Sequence, residues 1–166
     1  MDENKVVEVG QEDVIRVEEG YKLIPIMNEI NEQIGVFRFN PTDINIINRY
    51  NEIAPKFQEA IAPLAEAGVN EKGEGVDEDS IKILNEAEEK IIEMMDYFTN
   101  SDSRSAFFGR THVFTPVNGN FYCGNVLNSI GQYIAKKFDK EVDAVNARMA
   151  KHTHGYRTGK HKKGDR

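Results

Sequence analysis

The apolar residues of "SIKILNEAEEKIIEMMDYF" recur every three or four positions, at Ile81, Leu84, Ala87, Ile91, Met94, Met95 and Phe98. That spacing places them along one face of an α-helix, whereas a strand would scatter them over both of its faces. Asp77 or Asp79 is the expected N-cap. Glu86, Glu88, Glu89 and Lys90 fall mostly off the stripe, and the paired carboxylates Glu88 and Glu89 are read as a solvated helix face. A helix of this kind is held by packing more than by propensity, so the rest of the chain must supply partners for its stripe.

Two further stripes answer that demand. Ile46, Tyr50, Ile53, Phe57, Ile61 and Leu64 follow an N-cap at Thr42 or Asp43 and end at Gly68. Pro55 and Pro63 interrupt this helix, and a proline in a helix interior deletes a hydrogen bond and clashes with the preceding turn. A kink or break near Pro55 is therefore expected. From about Phe121 a last helix carries Leu127, Ile130, Ile134, Phe138, Val142, Val145 and Met149.

The connections are read from their turn chemistry. "GVNEKGEGVDED" is an exposed loop, because its glycines and acidic residues oppose regular structure, and "TPVNGN" is a turn. In "DYFTNSDSRSAFFG", Ser101 or Asp102 caps one short turn of helix closed by Gly109, making a corner between helices. Upstream, Lys22–Met27 and Ile34–Phe39 flank a polar segment and predict a hairpin, with Phe37 and Phe39 on one face. Pro25 makes the first run an edge strand or no strand. Nearer the N-terminus, Val7 and Val9 alternate with Glu8, and Ile15 and Val17 with Arg16, a pattern compatible with short strands on either side of Gly10.

The 166 residues fit one domain able to bury a core. The expected architecture is mostly α: a compact domain of three to four helices over residues 21–150, a small N-terminal β-hairpin and polar termini. Residues 1–20 form an acidic segment, with seven acidic side chains against Lys5 and Arg16, a net of −5. Residues 149–166 carry six basic side chains against Asp165, a net of +5, and 151–166 read as a flexible basic tail. The N-terminus lacks the apolar core of a secretory signal, and no apolar run approaches the roughly 20 residues of a membrane span. A soluble intracellular protein without a membrane partner is expected.

Catalytic and cofactor chemistry finds little support. Cys123 is the sole cysteine, so it forms neither an intrachain disulfide nor a four-cysteine zinc site. Beside an imidazole such as His112 it would be a candidate nucleophile, but the sequence supplies no third orienting group. His152, His154 and His161 lie in the tail without the rigid surroundings of a metal site. No glycine run has the order of a phosphate-binding loop, and the acidic residues lack calcium-loop spacing. No enzyme activity, metal or cofactor is expected. The net charge of −7 disfavours general polyanion binding, which leaves the tail, with Tyr156 among its basic residues, as the one candidate for nucleic acid.

What remains is a surface for other proteins. Phe107, Phe108, Phe114, Phe121 and Tyr122 crowd into one irregular region. Any left exposed would mark a partner site, though burial is the default for phenylalanine. Phe107, Phe108, Phe114 and Tyr122, with the tail residues Arg157, Lys160, Lys162 and Lys163, are the candidates for partner contact.

The order of features is itself informative. A hairpin ending "GVFRFNPTD" leads to "INIINRYNE", a later helix runs into "MMDYFTNSDSRSAFFG", and a last helix "NVLNSIGQYIAKKF" precedes a polar tail. Over roughly residues 21–150 this resembles the tail assembly chaperones of long-tailed, siphovirus-like bacteriophages of Gram-positive hosts. The resemblance implies a helical, non-enzymatic protein of the infected host's cytoplasm. Such a protein coats the long tape measure protein, keeps it soluble and recruits tail tube subunits, the major tail protein, that displace it. It carries over no catalytic residues and no position-by-position contact motif. Opposed charged ends also suit self-association between copies. A small nucleic-acid-associated protein acting through its basic tail is the alternative; nucleic acid is not expected as a partner of the chaperone.

Overall fold

The computed structural model describes residue 10 and residues 13–139. The order is β1 (Lys22–Met27), β2 (Gln33–Phe39), α1 (Asn45–Glu66), α2 (Glu78–Thr99), α3 (Ser103–Phe107), β3 (Pro116–Val117), β4 (Asn120–Phe121) and a last helix, α4, at residues 122–139. This is the expected mostly helical architecture with a small N-terminal hairpin. The expected strands around Gly10, the stripe residues Val142, Val145 and Met149, and the whole basic tail lie outside the described residues, apart from the short run at 13–17. Ile15 and Val17 are in no strand.

β1 and β2 pair antiparallel, with Ile24 opposite Phe37 and Pro25 opposite Val36, and a register irregularity between Ile26 and Met27. Among the described residues two strands form this sheet, so Pro25 does sit on an edge. Phe37 and Phe39 share the buried face and stack at 4.9 Å between ring centroids.

The five-residue turn of the hairpin, "NEINE", is built by its first side chain. Asn28 Oδ1 accepts from the N–H groups of Ile30 and Glu32, and Asn31 takes the left-handed conformation at φ 60°. "NEKGE" repeats this device after α1. Asn70 Oδ1 accepts from the N–H groups of Lys72 and Glu74, and Gly73 occupies the left-handed position at φ 80°. In both turns the asparagine amide also donates to the closing glutamate, Glu32 at 3.0 Å and Glu74 at 2.7 Å. The loop read as merely exposed thus opens with a specific, internally bonded turn, for the reason that an asparagine side chain can stand in for a backbone turn.

α1 departs from expectation at two points. Its N-cap is Ile44, without a side-chain cap, not Thr42 or Asp43. Asp43 acts one step earlier, accepting from Asn45 N–H and from Arg49, whose guanidinium holds that carboxyl below the usual range. The helix also continues through Pro55 and Pro63 without a break. Pro55 and Asn51 both lie on the exposed face, where water can reach the Asn51 carbonyl that Pro55 leaves without a donor. Meanwhile Ile46, Ile53, Ala60 and Leu64 on the opposite face are buried, and that burial offsets the proline cost. The end of α1 follows the sequence. Gly68 adopts φ 75°, its N–H donates to Ala65 O, and Val69 N–H donates to Leu64 O, the two hydrogen bonds of a Schellman cap.

α2 begins at the expected Asp77, whose carboxylate accepts from Ser80 N–H while Ser80 Oγ accepts from Asp77 N–H. Its buried face carries Leu84, Ala87, Ile91, Met95 and Phe98, but Ile92 replaces the expected Ile81, which is 44% exposed. Where a helix has neighbours on two sides its buried arc widens at the centre and narrows at the end, and the period alone does not give that. Arg49 fastens the two long helices together, since its Nε donates to Phe98 O at 3.0 Å.

Candidate functional site

The corner "TNSDSRSAFFG" spends its polar groups internally. Asn100 turns the chain in the left-handed conformation (φ 51°) and its amide donates to Tyr21 Oη. Ser101 Oγ donates to Arg38 O. Asp102 is the N-cap of α3, accepting from Ser105 N–H. Ser103 is fully buried, with its N–H and Oγ both given to Asp96. α3 ends at Phe107 with Phe108 as C-cap at φ −113°, so the expected closure by a left-handed Gly109 is not used. This corner docks the hairpin on α3: a Cβ at Gly35 would stand 2.4 Å from Ala106 O and 2.7 Å from Ser105 O.

Phe107, Phe108 and Phe114 are core residues, between 4% and 7% exposed, and present no ring to solvent. Their contribution is a chain of rings. Phe37 meets Phe107 edge-on at 4.9 Å, Phe107 lies 6.2 Å from Phe108, and Phe108 meets Tyr122 at 5.6 Å. Each such pair adds about 0.5–1.5 kcal/mol beyond its burial, and together they join the hairpin, α3 and α4. Tyr122 is half-buried, and its hydroxyl donates to Phe107 O at 2.7 Å. Burial, and then the charge of Glu29, raises the Tyr122 pKa above its ordinary value. Arg157, Lys160, Lys162 and Lys163 lie outside the described residues.

Glu88 corrects a reading as well. Its carboxylate is 16% exposed and accepts from Val113 N–H at 3.1 Å, with His112 Nε2 3.3 Å away. It clamps the 112–113 loop to α2, while Glu89 faces solvent and pairs with Arg104 at 2.5 Å. His112 Nδ1 accepts from Phe114 N–H, which leaves the proton of the neutral ring on Nε2, shared between Glu88 and Asn85 Oδ1. Both imidazole nitrogens are therefore engaged, and among the described residues no hydrogen bond joins His112 to Cys123. Cys123 is 3% exposed, and burial pushes its thiol pKa up to about 11. Its thiolate should be roughly a hundredfold scarcer at neutral pH than that of an ordinary cysteine. A disulfide reagent is expected to label Cys123 only when the protein is unfolded in urea; prompt labelling of the folded protein would contradict this burial. Among the described residues no cluster of three histidine, cysteine or acidic side chains is placed to hold a metal ion.

A groove of about 470 Å³ opens between β1 and α4. Its walls are Ile24 and Ile26 on one side and Val126, Ile130 and Tyr133 on the other, with Phe37, Phe39 and Phe107 beneath. Asn28 and Glu29 stand at one end, and Ser129 lies on the exposed lip. The groove thus lies between a hairpin and a helix, not between two helices. The short β3–β4 hairpin, turned by Asn118 (φ 52°) and Gly119 (φ 78°), starts α4 beside it, with Val117 in the lining. Positive φ at both central residues is the two-residue hairpin geometry that Asn-Gly favours.

No helix among the described residues is long and apolar enough to cross a membrane. Comparison with protein-family models, with curated proteins and with solved structures yields no match.

Proposed function

We propose that the chain is a tail assembly chaperone of the kind found in long-tailed phages of Gram-positive hosts, working in the cytoplasm of the infected bacterium. It binds the tape measure protein, keeps it soluble, and is displaced by tail tube subunits. The observation that carries this reading is the solvent-open apolar groove between β1 and α4, on a chain whose corner polar groups are all internally engaged. Such a groove suits the apolar stripe of an amphipathic helix, whose anchors recur every three or four residues. A groove of this size takes a few side chains, so each copy binds modestly while many copies along one long partner hold it collectively. Modest affinity per site is also what allows displacement.

The test is co-expression with the product of a neighbouring gene encoding a very long helical protein. The wild type is expected to co-purify with a soluble partner, and Ser129→Arg, which places a charge on the exposed lip, to lose it. Equal partner solubility without the chaperone would overturn the reading, and so would full rescue by the variant. Steeply salt-dependent DNA or RNA binding that disappears on removal of residues 151–166 would favour the nucleic-acid alternative instead.

A further inference from the structure

Residues 14–17, Val-Ile-Arg-Val, set three apolar β-branched side chains around the charged Arg16 and are unburied: Ile15 is 90% exposed and Val17 76%. Among the described residues their backbone N–H groups have no backbone partner. The root of this arm is fixed on its own chain. Asn40 Nδ2 donates to Glu19 O, Gly20 takes φ 88°, the Arg38 guanidinium lies 3.8 Å from the centre of the Tyr21 ring, and Asn100 Nδ2 donates to Tyr21 Oη. Held at that root, residues 14–17 contribute nothing to the lining of the groove on their own molecule.

We propose that the resting occupant of the groove is the Val14–Val17 arm of a second copy of this chain. The two surfaces supply what each other lacks. The arm offers two exposed branched side chains, and the groove has space for them against Ile26, Ile130 and Tyr133. Among the described residues β1 has no strand on its outer edge, but Pro25 withholds an N–H there, so side-chain insertion carries the contact more than a continuous ladder does. Charge also matches. Lys136 and Lys137 follow Tyr133 on α4, with Lys137 Nζ 5.2 Å from the Tyr133 ring centre. Acidic residues flank the arm on both sides, Asp13 and Glu18, so either direction of insertion brings one carboxylate to that basic end, while the other falls at the Asn28–Glu29 end and weakens the match there. The inference rests on the groove being a binding surface and adds its regulation: a client must displace the arm, so empty chaperone stores its groove in another copy.

Sedimentation velocity of the full chain across a concentration series tests this with three samples: wild type, Ile15→Asp/Val17→Asp, and Ser129→Arg. Neither variant alters a buried residue, and circular dichroism checks that each is folded. Wild type is expected to associate, and each variant alone to associate at least about a hundredfold more weakly. An equimolar mixture of the two variants should recover association, because one retains the arm and the other the groove. Unchanged association of the arm variant overturns the proposal, as does a monomeric wild type or a mixture that stays monomeric. Client co-purification reads out separately. The arm variant should still solubilise the long partner; failure there with complementation intact would sink the client reading alone.

Discussion

Gly35→Ala is expected to cost about 3 kcal/mol and lower the melting temperature by roughly 6–12 °C. The cause is space. The added methyl would stand 2.4 Å from Ala106 O and 2.7 Å from Ser105 O, and both are backbone atoms of a helix end that cannot rotate aside. Either β2 lifts off α3 or α3 shifts against α2, where Ser103 is tied to Asp96 through two hydrogen bonds. Lifting β2 also parts Phe37 from Phe107, the first link in the chain of rings. Thermal and urea unfolding measure the effect. A loss below about 0.5 kcal/mol, the scale of an ordinary surface change, would show that the hairpin does not rest on α3 at this distance.

The second large effect separates two isoleucines of one helix that the period of the sequence treats alike. Ile91→Ala should destabilise by about 3–4 kcal/mol, since Ile91 is fully buried in the core and its loss leaves a cavity. Ile81→Ala, at 44% exposure near the start of α2, should cost under about 0.5 kcal/mol. Similar costs for the two substitutions would mean that the register of α2 on the core is wrong.

Periodicity and caps made much of this fold legible. Asp77, Asp102 and Gly68 each do locally what their residue types favour, because a cap depends on neighbours within four residues. Pro55 was misleading because its cost depends on which face it occupies, and here that face is solvated. The two Asn-x-x-x-Glu turns and the Asn-Gly hairpin before α4 were signalled in the sequence by asparagine and glycine at the left-handed positions. Glu88 was not readable, since its role comes from a loop that returns 25 residues later. Of the candidate site, the cluster of phenylalanines was visible but its side was not: the rings form the floor and support of the groove rather than its exposed surface. The groove itself depends on β1 facing α4, a contact across about a hundred residues that no local pattern encodes.

If the chain works as proposed, the β1–α4 groove receives the apolar face of a helical protein partner. The most direct measurement is an NMR titration of the labelled chain with helical segments of the proposed long partner, with methyl and amide shifts followed residue by residue. Saturable shifts are expected at Ile24, Ile26, Ile130 and Tyr133, abolished by Ser129→Arg. Binding that leaves these residues unmoved, and shifts a different face instead, would contradict the proposal.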